Sequence, residues 1–325
     1  MNKTLIDIIR FFPRSYHSLR GCRARAIGKA PEGCRARIAV IADLHLRTTF
    51  KRKTLFEMGL RDFEKAKQKL DAFVITGDIT DHGYPGMWEA FTRIFTRYSV
   101  SQNDILVIGN HDTWGFKENE IENARETFCK YSLLATGRKI DRNYFATDAG
   151  GYRVIALGSE GDRCEADVSD EQIKWLSDEL DACDGSGKPV FIFFHQSVNG
   201  THGLPYTWEF RRDDPIETGG IGERSDEILD IIRKHKNIVY TSGHIHEGFA
   251  LESENKGYTS LERHGSYSLI NIPCYIAPDK RRGGYEPRGT GYIYEIYDDK
   301  IILRARNFAY GADCPQYDET IELSR

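Results

Sequence analysis

Five short apolar runs in this chain each end in side chains able to ligate a metal. Ile38–Ala42 leads into Asp43-Leu44-His45, Ala72–Thr76 into Gly77-Asp78-Ile79-Thr80-Asp81, and Ile105–Ile108 into Gly109-Asn110-His111-Asp112. Val190–Phe194 is followed by His195, and Ile238–Thr241 by Ser242-Gly243-His244-Ile245-His246. Asp43, His45, Asp78, Asn110, His195, His244 and His246 therefore offer imidazole nitrogens with carboxylate or amide oxygens, and no thiolate. Such a set suits zinc, iron or manganese and is poor for soft-metal or iron–sulfur chemistry. Seven ligands exceed what one ion needs if a position stays open for water, and they fit two ions if one carboxylate bridges. A close pair of metal ions makes water acidic near neutral pH and clamps the attacking and leaving oxygens of a displacement at phosphorus. Gly77, Gly109 and Gly243 stand just before ligand residues, where a glycine permits a sharp strand-to-loop turn. Singly, Asp43 reads as a helix cap and Asn110 as a turn residue; together the five endings read as one site.

The elements that must position these residues follow from the patterning. Continuously apolar runs are expected to be strands buried on both faces, and Arg153–Leu157 adds a sixth. Helical patterns fall between them over 52–70, 86–98, 118–134, 169–183 and 224–235, so the alternation predicts an α/β fold with the strand ends lining a ligand crevice. Ser169-Asp170-Glu171-Gln172 has the form of a capping box, and Ser225 is expected to cap the fifth helix. After residue 255 the texture changes to strands over 267–272, 292–297 and 300–305, the last two joined by a turn at Asp298-Asp299. Loops 198–222 and 277–291 are long and rich in Gly and Pro, a length usually reserved for function or mobility. In the first, Tyr206, Trp208 and Phe210 with Arg211 and Arg212 suit a wall for a phosphate ester, and equally suit packing of the loop on its own domain. No internal repeat and no linker divides the chain.

The 325 residues, 40% hydrophobic and 29% charged, support a sizeable core and exclude disordered, collagen-like and coiled-coil classes. No apolar run reaches the ~18 residues of a membrane-spanning helix. The stretch Leu5–Phe12 is interrupted by Asp7 and Arg10 and lacks the unbroken core of a secretory signal. Seven cysteines, none spaced C-x-x-C, read as reduced structural thiols of a cytoplasmic protein and speak against a thiolate zinc site. Residues 1–37 hold nine Lys/Arg against Asp7 and Glu32, a net of +7, which leaves −11 for the rest of a chain that totals −4. The expectation is a basic N-terminal arm over 1–37 preceding one domain over 38–325. Such an arm suits an anionic lipid surface, a nucleic acid or the acidic body itself. Leu5, Ile8, Ile9 and Phe12 are compatible with one face of a short amphipathic helix, docked on lipid or buried against the body or a partner subunit. The acidic body opposes a long nucleic-acid track.

The ordered series Asp43-x-His45, Gly77-Asp78-x-x-Asp81, Gly109-Asn110-His111-Asp112, His195 and Gly243-His244-x-His246 resembles that of the calcineurin-like metallophosphoesterases. The resemblance implies a four-layer αββα sandwich, two mixed β-sheets flanked by helices, with a dinuclear metal site at the sheet edge. It implies that Asp43, His45 and His246 hold one metal and Asn110, His195 and His244 the other, with Asp78 bridging. It assigns His111 to the phosphate and to protonation of the leaving oxygen, Asp112 to a hydrogen bond that fixes the His111 tautomer, and Asp81 to support of the loop. Gln196-Ser197 replaces prolines that many relatives carry after the His195 position, which leaves the local loop shape open. The implied activity is metal-dependent phosphoester hydrolysis by attack of activated water on phosphorus. By family analogy the substrate is a small diester such as a cyclic nucleotide or glycerophosphodiester. A phosphomonoesterase, a nuclease and a non-catalytic scaffold are the alternatives. His17, His82, His202, His235 and His264 lack such context and read as surface or loop histidines, His82 being nearest the site.

Overall fold

A computed structural model of the chain describes residues 2–11, 21–117, 120–161, 164–205, 219–250, 257–276 and 288–324. The continuously apolar runs become interior strands of two sheets, because a strand with no polar face needs a covering layer on each side. One sheet contains β1 (Arg23–Ala24), β2 (Ala36–Ile41), β3 (Leu70–Thr76), β4 (Ser101–Val107), β11 (Thr290–Ile296), β12 (Lys300–Asn307), β13 (Ala312–Asp313) and β14 (Glu319–Glu322). Its order is β1-β13-β12-β11-β2-β3-β4, with β14 beside β12. The other contains β5 (Phe145–Ala149), β6 (Tyr152–Ala156), β7 (Val190–Phe193), β8 (Ile238–Ser242), β9 (Leu261–Arg263) and β10 (Tyr267–Asn271), in the order β5-β6-β7-β8-β10-β9. Strands β2, β3 and β4 run parallel, as do β6, β7, β8 and β10, while the remaining pairings are antiparallel.

Among the described residues six α-helices complete the layers: α1 (Lys3–Phe11), α2 (Phe50–Glu64), α3 (Pro85–Phe95), α4 (Ile121–Thr136), α5 (Asp170–Asp181) and α6 (Ser225–Arg233). The alternating faces of each strand separate three apolar clusters. Ile38 and Val40 of β2 meet Phe191 and Phe193 of β7 and Val239 of β8 between the sheets. Ala39, Ile41, Phe73 and Ile75 point outward onto Phe56 and Phe63 of α2, Phe91 and Phe95 of α3 and Phe128 of α4. Ile192 and Tyr240 on the far side meet Ile173 and Leu176 of α5 and Ile228 and Ile232 of α6. The result is the four-layer helix–sheet–sheet–helix sandwich.

The helices start and stop within a few residues of their expected places, with two instructive differences. The first expected helix, over 52–70, gives way at Glu64, because Leu70 already opens β3. Ser225 is the first residue of α6 rather than its cap, and its hydroxyl accepts the Asn199 backbone N–H instead. Ser169 does cap α5, accepting from the Gln172 N–H. The hairpin turns at Asp298-Asp299, with Ile296 opposite Ile301. Strands β1, β5, β9, β13 and β14 were not expected; they span two to five residues and most are partly exposed, so they carry little apolar signal.

Described parts of the basic segment pack against the body. Ile6 is fully buried, Asp7 pairs with Arg61 and Lys65 of the α2 region, and β1 joins the first sheet. Leu5 and Ile8 stay exposed, and Phe12 and His17 lie outside the described residues. Cys22 and Cys314 continue the β1–β13 register and face each other with their sulfurs 2.7 Å apart. Among the described residues no helix is long and apolar enough to cross a membrane.

Arg306 of β12 is the charged anchor of this region. It is 1% exposed and grips Asp62 of α2 with Nε and Nη2, Asp313 with Nη1 and the Arg25 carbonyl with Nη2. Removing one member of a buried pair leaves the other charge uncompensated. Arg306→Ala is expected to lower stability by about 3–5 kcal/mol, read from chemical denaturation, and a loss well under 1 kcal/mol would refute the anchoring role.

Candidate metal centre

The candidate ligands all emerge at the carboxyl ends of parallel strands: Asp43 and His45 after β2, Asp78 after β3, Asn110 beyond β4, His195 after β7, and His244 and His246 after β8. Five of the seven take left-handed backbone conformations, with φ of 54° at Asp43, 41° at His45, 50° at Asp78, 73° at His244 and 63° at His246. Each such residue costs about 1–3 kcal/mol and persists only where its surroundings over-determine it. Sharp reversals at the strand ends turn the side chains back into one pocket between the sheets.

The glycines before the ligands act mainly by size. Gly77 needs its left-handed φ of 81°, and a Cβ there would also overlap the His195 ring. Gly109 has an ordinary negative φ, so the expected turn role does not hold; a Cβ there would overlap the Asp78 N and Oδ1. A Cβ at Gly243, which also lacks a positive φ, would press on Ala42 and the Asp43 carboxylate. Two strand ends can approach this closely only because their leading residues have no side chain.

The structure brings six of the seven residues into two overlapping groups. Asp43, His45, Asp78 and His246 form one group whose ligand atoms lie within 4.8 Å of one another, and Asp78, His195 and His244 form a second. Asp78 belongs to both. Its Oδ2 sits 3.2 Å from His195 Nε2 and 3.4 Å from His45 Nε2, and His246 Nε2 is 3.3 Å from Asp43 Oδ1. Ring nitrogens crowd one another too, with His45 Nε2 2.9 Å from His246 Nε2 and His244 Nδ1 3.2 Å from His195 Nε2. His195 Nδ1 donates to the Thr76 carbonyl at 3.0 Å, which sets the tautomer and turns the Nε2 lone pair toward the carboxylate. Asn110 Nδ2 points at Cys164 Sγ, 3.8 Å away, while Asn110 Oδ1 is buried with no hydrogen-bond donor among the described residues and Asp78 Oδ2 faces the His195 and His45 rings. Acceptors that face acceptors, buried and lacking donors, fit cations between them.

The electrostatics agree with that fit. Burial holds His45 and His244 well below the usual imidazole range, in the neutral form that ligates metal. Burial would raise Asp78, but the imidazoles of His195, His111 and His45 outweigh it and keep the carboxyl well below its usual range. Burial likewise opposes charge on His195, yet Asp78 and Asp43 lift it to about 9. Without metal, a proton does the work a cation would do.

His111 and Asp112 divide their duties differently from expectation. Asp112 does not bond to the His111 ring. Its two carboxylate oxygens accept the N–H groups of Ile79, Thr80 and Gly109 and the Thr80 hydroxyl, so every lone pair is committed to lacing the β3 and β4 loops together. Burial, with the nearby Asp78 charge, raises Asp112 to about 7. The His111 tautomer is set instead by the Asp81 carbonyl, 2.9 Å from Nδ1, and its backbone N–H donates to Asp78 Oδ1. The Asp81 carboxylate supports the loop by binding Arg47 Nε at 2.5 Å and Arg52 Nη1 at 2.6 Å.

Several supporting residues had no signal in the chain. Asn271 of β10, fully buried, donates to Ser242 Oγ, Ser197 Oγ and the Gly243 carbonyl, tying the His195 and His244 loops to one side chain. This also defines the loop after His195, where Gln196 bonds the Cys164 carbonyl and accepts from the Tyr240 hydroxyl. Trp114, half-exposed, lies 4.2 Å from the His111 ring, and Tyr84 stacks on His82 at 5.8 Å. His82 is 2.7 Å from Asp81 Oδ2, beside the site rather than in it. His202 and His235 lie in loops but are buried; their rings face the Thr259 carbonyl and the Asp184 carboxylate, partners distant in sequence. His264 remains exposed, against Glu262 and Tyr267. Tyr206, Trp208, Phe210, Arg211 and Arg212, with most of loop 277–291, lie outside the described residues.

Gly109→Ala is expected to expel metal from the site and to lower stability by roughly 1–3 kcal/mol through overpacking. Elemental analysis and thermal denaturation of the same sample test this, and full metal content with an unchanged melting temperature would show that the strand ends have room to spare.

Comparison with known proteins gives the same picture. Residues 36–248 match the family model described as calcineurin-like phosphoesterase. A curated relative named "Probable cyclic nucleotide phosphodiesterase", from Rhodococcus erythropolis, is 28% identical over 244 residues, covering 71% of this chain and 68% of that protein. The fold is shared with a dimetal phosphatase from Danio rerio (TM-score 0.59, 15% identity, 90% of this chain and 100% of the other). It is shared too with GAP50, the anchor in the inner membrane complex of Plasmodium (TM-score 0.56, 13% identity, 90% of each chain). With five ligand blocks converging on one buried centre and a family match over most of its length, this chain belongs to the calcineurin-like phosphoesterases and is a phosphoester hydrolase.

Proposed function

We propose that the chain is a small-substrate phosphodiesterase with a dinuclear site, in which Asp43, His45 and His246 hold one metal, Asn110, His195 and His244 the other, and Asp78 both. The observation that carries the metal assignment is the membership of Asp78 in both ligand groups. When bound, the two metals supply positive charge that acidifies water and offsets charge building up at phosphorus. Iron, manganese and zinc all match the donors.

The remaining work falls to this chain's own residues. His111 has Nδ1 committed to the Asp81 carbonyl, so Nε2 is the nitrogen left for substrate. As imidazolium it donates that Nε2 proton to the departing oxygen, a contribution of about 10²–10⁴ in rate. Arg47 Nε and Arg52 Nη1 bind the Asp81 carboxylate, which offsets part of the charge they could bring to a dianionic phosphate. That balance favours a singly charged diester over a monoester. Trp114 and Tyr84, exposed beside His111 and His82, offer aromatic faces to the alcohol group of such a diester. The name carried by the Rhodococcus relative supports the same substrate class. None of the seven cysteines is in a disulfide among the described residues, which suits a reducing cytoplasm.

Paired chromogenic substrates test the preference: bis(p-nitrophenyl) phosphate is expected to turn over faster than p-nitrophenyl phosphate with manganese, iron or zinc supplied. Monoester turnover without diester turnover would reverse the reading. His111→Ala is expected to keep both metals by elemental analysis and lose about 10²–10⁴ in kcat. Asp78→Asn is expected to lose metal and activity together; two retained ions at full rate would remove Asp78 from its bridging place.

A further inference from the structure

A second concave site lies at the opposite end of β2 from the metal centre. It encloses about 370 Å³, and six cationic residues line it against three acidic ones. Arg37 is the second residue of β2 and Asp43 lies two residues beyond its last, so six residue steps put the two sites about 20 Å apart. The segment from Arg23 to Pro31 folds over β11 and β12 to form one wall.

The three carboxylates here are already engaged. Glu295 and Asp318 are bound by Arg304, and Asp313 by Arg306. The other cations are not matched. Arg23, Arg25 and Lys29 are exposed, and none has an ion-pair partner among the described residues. Arg37 is the most telling, because it is only 3% exposed. Its Nη1 donates to the Gly28 carbonyl at 2.9 Å and its Nη2 to the Gln68 carbonyl at 3.0 Å, with no carboxylate in salt-bridge contact among the described residues. A buried guanidinium is normally paired with an anion. Two carbonyl dipoles bind it directly, Glu295 and Asp71 act on it only at longer range, and burial outweighs them to pull Arg37 below the usual guanidinium range.

We propose that this pocket binds a soluble, multiply charged phosphate anion of nucleotide size or smaller, clasped by Arg23, Arg25 and Lys29 next to the buried Arg37. The excess of three positive charges suits a di- or trianion, guanidinium forks match phosphate oxygens in pairs, and the volume falls at the lower end of small-ligand pockets. The site owes nothing to the metal ligands, so it stands or falls separately from the catalytic reading. The surrounding body is acidic, which makes this patch the place where such an anion gathers.

Calorimetric titration of the full-length, metal-loaded protein with pyrophosphate tests the proposal. Two classes of site are expected, one at the metals and one here, the second weakening steeply with salt. Arg23→Ala/Arg25→Ala removes exposed side chains and is expected to weaken the second class by about tenfold or more per arginine, with bis(p-nitrophenyl) phosphate turnover unchanged. A single class in the native protein, or two unchanged classes in the double variant, would overturn it. A parallel sedimentation with vesicles containing a phosphoinositide separates the sources of phosphate. Vesicle binding without a second pyrophosphate class would make the patch a membrane surface and refute a pocket for a free anion.

Discussion

Asp78 is the constraint on which the rest of the site depends. One buried carboxylate must reach two groups of imidazoles at once, and it sits where the first sheet abuts the second. Its Oδ1 takes the His111 backbone N–H, and its Oδ2 is left facing His195 and His45. A fully buried anion in that setting is tolerable only with positive charge beside it, whether protons on histidine or metal ions. The two sheets are therefore held in register at this edge by chemistry as well as by apolar contact.

Meeting that constraint strains the backbone. Left-handed φ values at Asp43, His45, Asp78, His244 and His246 are unfavourable for residues with side chains, and they cluster where ligands are needed. The scaffold that enforces them is polar and buried: Asp112 laces the β3 and β4 loops, and Asn271 binds the β7 and β8 loops. The apolar clusters on either side of each sheet supply the stability from which this strain is drawn. Residues outside the candidate ligand set thus decide its geometry.

Charge is arranged with similar economy outside the ligand shell. The Asp81 carboxylate binds Arg47 and Arg52 while its carbonyl orients the His111 ring, so one residue both pairs with two cations and fixes an imidazole beside the candidate ligands. At the far end of β2 the pattern is the reverse: acidic groups are consumed by Arg304 and Arg306, and the remaining cations go unmatched. A chain of modest net charge therefore presents a metal-ready anionic centre at one end of a strand and a cationic recess at the other.

The ligand types, their order and the strands that carry them were legible in the chain, because an apolar run ending in Asp or His is a local pattern and five of them in series define a family. The four layers followed as well, since runs without a polar face demand cover on both sides. What could not be read locally was every contact made between residues distant in sequence. Asp112 serves backbone N–H groups of the neighbouring loop rather than His111, and Gly109 and Gly243 are required for lack of bulk rather than for a turn. Asn271, His202 and His235 carry no motif, and their burial and partners exist only once β10 and the loops around it are in place. The sequence by itself determined which atoms are available to bind metal, for that is a matter of side-chain chemistry. Tertiary structure alone decided which lone pairs are spent on the scaffold and which are left facing the site, because hydrogen-bond partners are chosen by proximity in space, and packing sets that proximity.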